Sequence, residues 1–551
     1  MFIVKKRIKD NEYYYLQHSS RENGKVISRT VAYLGKTKSG AEKKAKEFKS
    51  GIKKEIMEEE KPKKLENKRL TIDELTNFCK RKGFVYPSGD LYGGLAGFWD
   101  YGHLGSELKN NIKGEWWSEH VHKREDVVGI DGSIITNSKV WEASGHIGSF
   151  VDVAVICKKC KNKFKVDKHE LSKKKCEKCG GELESKGEFN PMFTTSVGPI
   201  KEDSTKAYLR PETAQLIFAN FKQVQENARL KLPFGIAQSG KSFRNEIAPR
   251  NFLFRSREFE QMELEYFIDP EKTKECFLLN KEIKKFELNV YSREMQEKNQ
   301  EPQEMTVEET LSKNIIEFPW HAYWLAIELN WFFSLGARKE NFRIRQHLKE
   351  EKSHYATDTW DIEYNFPFGW KELEGIADRG TYDLSQHEKH SKKDLKILDE
   401  KSNKKILPMV VAEPSLGVER AFLVFMLDAY SINEKQNTVL KLNPKLSPIK
   451  VAILPLVKKE KSLVKLSKGI YNELKEEWNT VYDESGSIGR RYARNDEVGT
   501  PFCITIDNDS EKKQDATIRN RDDGIQKRVK IKNLKEILRK LISQEILFKE
   551  L

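Results

Sequence analysis

The sequence has no long apolar run. Apolar residues make up 38% of its 551 residues and charged residues 33%, and no stretch approaches the roughly 20 consecutive apolar residues of a membrane-spanning helix. The first ten residues, MFIVKKRIKD, also lack the apolar core of a secretion signal. These absences predict a cytoplasmic protein that does not associate with a membrane.

Cysteine is scarce, with seven residues in the chain. In the expected reducing compartment disulfides are disfavoured, and four of the seven form two tight pairs, Cys157-x-x-Cys160 and Cys176-x-x-Cys179. Two such turns can supply the closed tetrahedral shell of thiolates that is typical of structural zinc. The alternative is a set of reduced, surplus cysteines in a mobile loop. Three others are expected to be core or surface thiols: Cys79, Cys276 and Cys503.

Acidic residues are too few to balance the basic ones, and the net charge is +14. Residues 1–70 contain 20 basic and 10 acidic side chains, residues 441–551 contain 24 and 17, and the middle carries −3. Basic ends around a nearly neutral centre favour an enzyme whose central region is catalytic and whose terminal regions bind nucleic acid. Basic surfaces also increase solubility, which is the alternative explanation. The length predicts two to four domains.

Residues 1–68 are interpreted as a basic extension and linker. Short β-like runs at 13–16 and 26–34 flank a turn at 22–24, and a lysine-rich helix is expected over 39–54. Aromatic residues among basic ones favour an RNA contact. A small appended β-ribbon with a solvated helix explains the pattern equally well.

The stretch 233–267 carries most of the chemical information. It predicts two strands, with Arg244 and Glu246 on one face of the first. In the second, apolar residues from Met262 to Ile268 alternate with Gln261, Glu263 and Glu265, which predicts one apolar and one acidic face. The loop between the strands is rich in arginine and suits a polyanionic substrate. An exposed hairpin with solvated charges is the alternative.

Other stretches predict buried helices and strands. A helix repeats apolar residues every four positions from Leu104 to Trp116, and its stripe could be buried within the subunit or between subunits. Arg210-Pro-Glu-Thr-Ala-Gln begins a second helix, where Glu212 could be a capping residue. Residues 270–318 are interpreted as a charged helical insertion, and 320–333 as core. The segment 448–551 predicts a small α/β domain, in which three arginines are candidate RNA contacts: Arg490, Arg491 and Arg494.

Several strings resemble a known family. Phe243-Arg-Asn-Glu resembles motif 2 of class II aminoacyl-tRNA synthetases, and its continuation through Arg250, with 257–263, resembles glycyl-tRNA synthetases of the homodimeric type. The strings at 84–105, 141–146 and 366–379 follow the same family, and 413–426 resembles motif 3. The likeness covers about residues 70–551. One departure is that Lys163 and Lys165 stand where the family tends to place an arginine.

The resemblance implies an α+β fold. It places a class II catalytic domain with an antiparallel sheet core and flanking helices at 69–447, including the four-cysteine insert at about 155–183 and the insertion at about 270–318. A small α/β anticodon-binding domain follows at 448–551, and the basic extension precedes the core.

The resemblance also implies residue roles. Arg244, Glu246 and Arg420 would be catalytic, Arg244 on the α-phosphate and Arg420 with Arg255 on the triphosphate. Glu372 would hold magnesium with ATP, and Phe259 would stack on adenine. The implied ATP-binding residues are Arg244, Asn245, Glu246, Phe254, Arg255, Ser256, Arg257, Glu258, Phe259, Glu372, Leu373, Gly417 and Arg420. Glycine would be bound by Glu212, Glu263, Glu413 and Ser415.

The implied activity is a glycine–tRNA ligase that forms glycyl-adenylate and charges tRNA(Gly), as a homodimer with Mg²⁺ and structural Zn²⁺. Two other functions stay open from sequence. One is a synthetase-like RNA-binding or regulatory protein without aminoacylation, which the retained motif residues disfavour. The other is a class II synthetase for alanine or serine, since an acidic pocket with Ser415 disfavours only large side chains.

Overall fold

The computed structural model describes residues 2–8, 11–22, 25–46, 70–149, 152–166, 174–176, 178–199, 206–351, 358–400 and 403–551. The chain forms two compact units, Met1–Arg69 and Leu70–Leu551. Within the described ranges, no helix is long and apolar enough to cross a membrane.

Over its described residues, which end at 46, the N-terminal unit contains a three-stranded antiparallel sheet and one helix. The strands β1 (Phe2–Ile8), β2 (Asn11–Glu22) and β3 (Lys25–Gly35) lie in that order, and helix α1 spans residues 38–46. Strand β1 is absent from the sequence prediction, because three consecutive basic residues, Lys5, Lys6 and Arg7, follow its apolar residues and leave no alternating pattern. The predicted turn at residues 23–24 and the helix beyond residue 46 lie outside the described residues.

The second unit contains the remaining elements. Its helices are α2 Ile72–Lys82, α3 His103–Trp117, α4 Ser138–Ala143, α5 His146–Ser149, α6 Ala214–Asn227, α7 Lys281–Lys284, α8 Arg293–Glu297, α9 Val307–Ser312, α10 Pro319–Ser334, α11 Tyr382–Ser391, α12 Val418–Ala429, α13 Lys461–Leu474, α14 Ile488–Val498, α15 Ser510–Lys513 and α16 Ile531–Ser543.

The strands outside the C-terminal region are β4 Val85–Pro87, β5 Trp99–Tyr101, β6 Val127–Ile130, β7 Ile135–Asn137, β8 Asp152–Cys157, β9 Lys163–Val166, β10 Leu183–Phe189, β11 Thr194–Ser196, β12 Lys206–Leu209, β13 Phe234–Phe243, β14 Glu258–Ile268, β15 Glu287–Tyr291, β16 Gln303–Thr306, β17 Phe342–Gln346, β18 Thr359–Phe366, β19 Gly369–Ala377, β20 Ile397–Asp399, β21 Lys404–Ile406, β22 Met409–Gly417, β23 Tyr430–Ile432 and β24 Thr438–Leu440. The C-terminal strands are β25 Val451–Pro455, β26 Thr480–Tyr482, β27 Phe502–Ile506, β28 Asp515–Asn520 and β29 Gln526–Lys530.

A nine-stranded sheet forms the centre of this unit. Its order is β16-β15-β17-β18-β19-β22-β14-β13-β6. Pairing is antiparallel except between β13 and β6 and between β15 and β17. The α+β class and the mainly antiparallel core are therefore confirmed.

The main hydrophobic core lies on one face of this sheet. Helix α10 is apolar nearly all round and packs there with α3, α12 and the apolar side chains of β14. The predicted stripe of α3 is buried inside the subunit, at 0–3% exposure for Leu104, Leu108, Ile112 and Trp116. The opposite side chains of β14 are buried as well: Glu263 is 2% and Glu265 0% exposed. An exposed hairpin is therefore excluded.

Two local predictions need correction around the central strands. Strand β13 ends at Phe243, so Arg244 and Glu246 lie in the following loop, where a tight turn brings the Glu246 N–H to the Arg244 carbonyl at 2.7 Å. Helix α6 begins at Ala214, so Glu212 precedes the helix. The Thr213 hydroxyl donates to Glu263 instead of capping the helix.

The segment 270–318 is not simply helical. It contains the short helices α7, α8 and α9, but β15 and β16 pair with each other and β15 joins β17, so they extend the central sheet. Its high lysine and glutamate content hid the alternating burial of Leu288 and Val290, both fully buried.

The C-terminal region is the predicted small α/β domain. Its sheet has the order β26-β25-β27-β28-β29, with β25 parallel to both neighbours. The predicted hairpin turn at 522–524 joins β28 to β29. Arg491 is not on the surface: it is 2% exposed and donates to the carbonyls of Pro455 and Asp483, at 2.7 and 3.1 Å. It holds α14 against the sheet and is unsuited to contact RNA.

Candidate active site

A cleft of about 150 Å³ opens over β14, β19 and β22. It gathers side chains that lie far apart in the sequence, because antiparallel pairing places β14 beside β22 and β22 beside β19. The lining residues are Arg244, Glu246, Phe254, Arg255, Ser256, Phe259, Gln261, Glu372, Ser415, Gly417, Glu419 and Arg420.

The loop between β13 and β14 supplies two arginines to the cleft. The Arg244 Nε donates to the Pro211 carbonyl at 3.0 Å, and its guanidinium lies 5.5 Å from the Phe259 ring centroid. The Arg255 Nε and Nη2 both donate to one oxygen of Glu246, with Nε at 2.8 Å. These contacts orient both guanidinium groups within a site that can bind phosphate oxygens.

A third arginine comes from the start of α12. The Arg420 Nη1 donates to the Glu372 carbonyl at 2.9 Å and lies 3.2 Å from the Glu372 carboxylate. Its guanidinium is 4.7 Å from the Phe254 ring. The Glu372 side chain remains 51% exposed, and Arg420 lowers its pKa. An ionised, accessible carboxylate thus stands beside the arginines.

Gly417 joins β22 to α12 at the edge of the cleft. Its φ of −77° suits any residue, and the nearest described atom to an added Cβ would be Arg420 Cγ, at 3.6 Å. Neither backbone geometry nor packing against the described residues requires glycine at this position. A missing side chain here does keep the cleft open to a ligand that approaches the backbone.

Four predicted nucleotide residues do not line the cleft. The Leu373 side chain is fully buried in the main core. Glu258 pairs with Lys241, and the Arg257 guanidinium donates to the carbonyls of Glu246 and Ala96, at 2.9 and 2.8 Å. The fourth is Asn245, whose backbone N–H donates to the Pro191 carbonyl at 2.7 Å.

The acidic side chains of β14 form the inner part of the site with Ser415 of β22. Ser415 Oγ donates to Glu263 Oε1 at 2.7 Å, and the Thr213 hydroxyl donates to Glu263 Oε2. Ser415 also lines the cleft. The predicted pair Glu263 and Ser415 is thus in direct contact, next to the arginine-lined part.

A buried arginine organises the other predicted acids. The Arg379 Nη1 donates to Glu413 at 2.6 Å, while its Nε and Nη2 hold Asp383 at 2.7 and 2.9 Å. Gln215 donates to both Asp383 and Glu212, at 2.8 and 3.2 Å. Glu212 is also 3.3 Å from His146 Nε2. This hydrogen-bonded network joins Glu413 to Glu212.

We call Glu212, Glu263, Glu265, Glu413 and Ser415 the carboxylate pocket. Burial and mutual repulsion give its four carboxyl groups different pKa values. Burial raises the pKa of Glu413 to about 8, although Arg379 opposes the shift. Burial and then Glu212 raise the pKa of Glu263, and burial with Glu413 raises that of Glu265 well above its usual range. For Glu212 burial is outweighed by His146 and nearby arginines, which lower its pKa. A cationic ligand would favour ionisation of the raised groups.

The sequence reasoning missed several residues of the site. Gln261 and Glu419 line the cleft, and Arg379 orders the carboxylate pocket. Glu419 accepts the Glu260 N–H at 2.9 Å, and burial raises the pKa of its carboxyl to about 7. The string ending in Asp378-Arg379 resembles the family, but no periodicity marks a buried arginine. Its role depends on contacts between distant strands and helices.

The four paired cysteines come together as predicted. Their sulfur atoms all lie within 4.8 Å of one another, and Cys157 and Cys176 are buried. The Cys160 N–H points to the Cys157 sulfur at 3.4 Å and lowers the pKa of that thiol to about 6. Four convergent thiols with a backbone donor fit a tetrahedral Zn²⁺ shell.

Three stretches of the chain match known protein families. Residues 193–430 match the tRNA synthetase class II core domain (G, H, P, S and T), and residues 450–541 match the anticodon binding domain. Residues 3–64 match the N-terminal domain of the IS1634 family transposase. The first match contains the whole cleft, and the second covers the C-terminal sheet.

Curated relatives share the sequence over most of the chain. The glycine–tRNA ligase of Thermobifida fusca is 42% identical over 498 residues, which are 86% of this chain and 98% of that protein. Those of Clostridium kluyveri and Geobacillus thermodenitrificans are 44% identical over 506 and 504 residues, with the same two shares. With a class II core built around the cleft, the chain therefore belongs to the glycine–tRNA ligase family of class II aminoacyl-tRNA synthetases.

Proposed function

We propose that this chain activates glycine with ATP and transfers it to the 3′ end of tRNA(Gly). The observation that carries the proposal is the meeting of two chemically different regions on β22. Ser415 belongs to the carboxylate pocket through its hydrogen bond to Glu263, and two residues later Gly417 borders the arginine-lined cleft. An amino acid held by its ammonium group in the first region would present its carboxylate to a triphosphate in the second.

Activation requires positioning and charge neutralisation. The glycine carboxylate, already ionised, attacks the α-phosphorus, and the bond to the β-phosphate oxygen breaks, which releases pyrophosphate and leaves glycyl-adenylate. Arg244 would neutralise charge on the α-phosphate, and Arg420 with Arg255 would hold the remaining phosphates. Glu246 holds Arg255 in place and contributes to nucleotide recognition, while Phe259 offers a ring for the adenine.

Glycine has no side chain to bind, so selection depends on exclusion of larger amino acids and on recognition of the ammonium group. Glu212, Glu263 and Glu413 surround the proposed ammonium position, and Ser415 completes the set. These residues are buried or half-buried and interlocked by hydrogen bonds, so the pocket resists expansion. A larger substrate would meet a steric clash, which can discriminate more strongly than one missing methylene.

The nucleotide site suits a magnesium ion carried in with ATP. The half-exposed Glu372 carboxylate is kept ionised by Arg420, and carboxylates together with phosphate oxygens are preferred magnesium ligands. The ion would neutralise phosphate charge during displacement.

The four-cysteine cluster would bind Zn²⁺ in a purely structural role. Its four ligands are all from protein, which leaves no open position for substrate. The other three cysteines are also free thiols, and this supports placement of the enzyme in the reducing cytoplasm.

Transfer would follow when a terminal ribose hydroxyl of tRNA attacks the adenylate carbonyl and AMP leaves. The C-terminal domain would bind the anticodon, since it matches that domain family and residues 441–551 carry excess positive charge. We further propose a homodimer, whose interface is formed by surfaces other than the apolar stripe of α3, since that stripe is buried inside the subunit. Light scattering on the purified chain tests this: a mass of about 64.2 kDa would contradict a dimer.

The decisive experiment is amino-acid-dependent exchange of labelled pyrophosphate into ATP, in Mg²⁺, with glycine, alanine and serine in turn. We expect exchange with glycine alone. Exchange with alanine or serine would show that the carboxylate pocket is wrongly assigned. Absence of exchange with ATP still bound would favour a regulatory RNA-binding protein. Charging of tRNA(Gly) tests the second step separately.

A further inference from the structure

The sheet of the N-terminal unit has two faces of different chemistry. On one face Tyr14, Leu16 and Leu34 are buried against Ala41 and Ala45 of α1. Because side chains alternate along a strand, Tyr13 and Tyr15 must point to the other face. That face has no helix over it within the described part of this unit.

Three tyrosines cluster on this second face. The Tyr33 ring lies 5.3 Å from the Tyr15 ring and 6.2 Å from the Tyr13 ring, in tilted arrangements. Tyr33 is 51% exposed. Because α1 packs on the first face of the sheet, it leaves these rings accessible to a ligand.

Two lysines complete the face. Lys6 Nζ lies 5.5 Å from the Tyr15 ring centroid, and Lys36 Nζ lies 5.5 Å from that of Tyr13. Both lysines are exposed. We call Lys6, Tyr13, Tyr15, Tyr33 and Lys36 the tyrosine face.

The acidic side chains described in this unit lie elsewhere. Glu12 accepts from Tyr14 Oη at 3.1 Å and pairs with Lys5, so it belongs to the α1 side of the sheet. Glu42 is an exposed residue of α1 itself. The tyrosine face therefore offers aromatic rings and cations without a neighbouring carboxylate among the described side chains.

We propose that the tyrosine face binds an unpaired segment of RNA, supplied by the tRNA that this chain is proposed to charge. Bases stack on exposed aromatic rings, and lysines beside the rings can contact the phosphates between those bases. The inference adds an RNA contact outside the anticodon-binding domain. Only the identity of the RNA rests on the proposed function; the surface itself does not.

Two sets of matched variants of the full chain test the surface. Tyr33→Ser removes one exposed ring, and Lys6→Gln with Lys36→Gln removes two cations from the tyrosine face. The control, Lys43→Gln with Lys44→Gln, removes the same charge from exposed positions of α1. Binding is measured by fluorescence anisotropy with a labelled single-stranded 12-nucleotide RNA and with tRNA(Gly), over a range of salt concentrations.

We expect Tyr33→Ser to raise the Kd for both RNAs about tenfold, within the range found for loss of one base stack. The tyrosine-face lysine pair should reduce the slope of log K against log salt by about 1.4, as expected for two lost phosphate contacts on a single strand. The α1 pair should bind as wild type does.

Any one of three results would overturn the inference. The wild-type chain does not bind the RNA, the two lysine-pair variants change the salt dependence of RNA binding equally, or Tyr33→Ser leaves the Kd unchanged. Because residues 3–64 match a transposase domain, a duplex DNA of the same length is included, and preferential binding of that DNA would also contradict an RNA surface. Glycine-dependent pyrophosphate exchange is measured on every variant, so failure of the proposed function is distinguished from failure of the RNA contact.

Discussion

Glu263 holds a central position in the carboxylate pocket, since it touches both Thr213 and Ser415 and is repelled by Glu212. A residue so placed could serve the fold, the substrate or both. Kinetics with each substrate separate these roles, because Glu263 does not line the arginine-lined cleft that is proposed to bind ATP.

Glu263→Gln preserves the shape of the side chain and removes its charge. We expect the KM for glycine to rise between about tenfold and a hundredfold, as for loss of a charge-assisted hydrogen bond, with the KM for ATP nearly unchanged. Pyrophosphate exchange measures both. A similar loss for glycine and ATP would assign Glu263 a structural role.

The pKa of about 8 for Glu413 predicts how glycine binding depends on pH. Burial raises this pKa, so the carboxyl is largely protonated below pH 8, while the glycine ammonium prefers the ionised form. Binding should therefore release a proton, and the KM for glycine should fall as pH rises towards 8, by at most about tenfold per pH unit for one proton.

Glu413→Gln is the control for this pH dependence, and it should flatten that part of the profile while the KM for ATP stays constant with pH. A glycine KM that is independent of pH between 6 and 8 in the unsubstituted enzyme would contradict the role of a raised carboxyl in ammonium binding.

At the scale of elements, Gly417 at the junction of β22 and α12 tests whether the absence of a side chain there serves nucleotide binding. Gly417→Ala should leave thermal unfolding unchanged, because the added Cβ meets only ordinary contacts, and should raise the KM for ATP severalfold by narrowing the cleft. Gly469→Ala, in α13 with open space around it, is the matched control. Equal ATP kinetics for the two variants would remove Gly417 from the nucleotide site.

The four-cysteine insert is a second element with its own test. We expect about one zinc ion per purified chain by elemental analysis, and its loss in Cys160→Ser, because three remaining thiols cannot close a tetrahedral shell. Cys503→Ser changes a buried thiol outside the cluster and should keep the metal. Zinc-free wild-type protein would indicate reduced, unligated cysteines.

The sequence was informative where a pattern repeats along one element. Alternation in β14 predicted its two faces, and spacing in α3 predicted its buried stripe. Patterns could not reveal Arg379, whose role depends on contacts with α11 and β22. They also placed Arg244 on a strand that ends one residue earlier, and they missed β15 and β16, whose polar composition concealed their pairing with the central sheet.

In the carboxylate pocket as well, the residue types were predicted and their protonation was not. The resemblance supplied Glu212, Glu263, Glu413 and Ser415, and the structure brings Glu263 against Ser415. Which acids are protonated depends instead on burial and on neighbours from other elements. No linear pattern encodes those quantities.

At the scale of the whole molecule, the cleft and the carboxylate pocket lie in the second unit, and the tyrosine face lies in the N-terminal unit. The curated relatives align over 98% of their own length but 86% of this chain, and the second unit has its own main core and C-terminal core. The charge of residues 1–70, with 20 basic and 10 acidic side chains, is therefore available for a separate role.

Deletion of residues 1–68 tests this separation. The remaining chain retains every residue assigned to the cleft and the carboxylate pocket, so glycine-dependent pyrophosphate exchange should stay within about twofold of the full chain. Its affinity for tRNA(Gly) should fall, and the salt dependence of binding should become shallower, because the deleted residues carry net positive charge. Unchanged RNA affinity would remove the extension from RNA binding, whereas loss of exchange would show that the extension supports the catalytic unit.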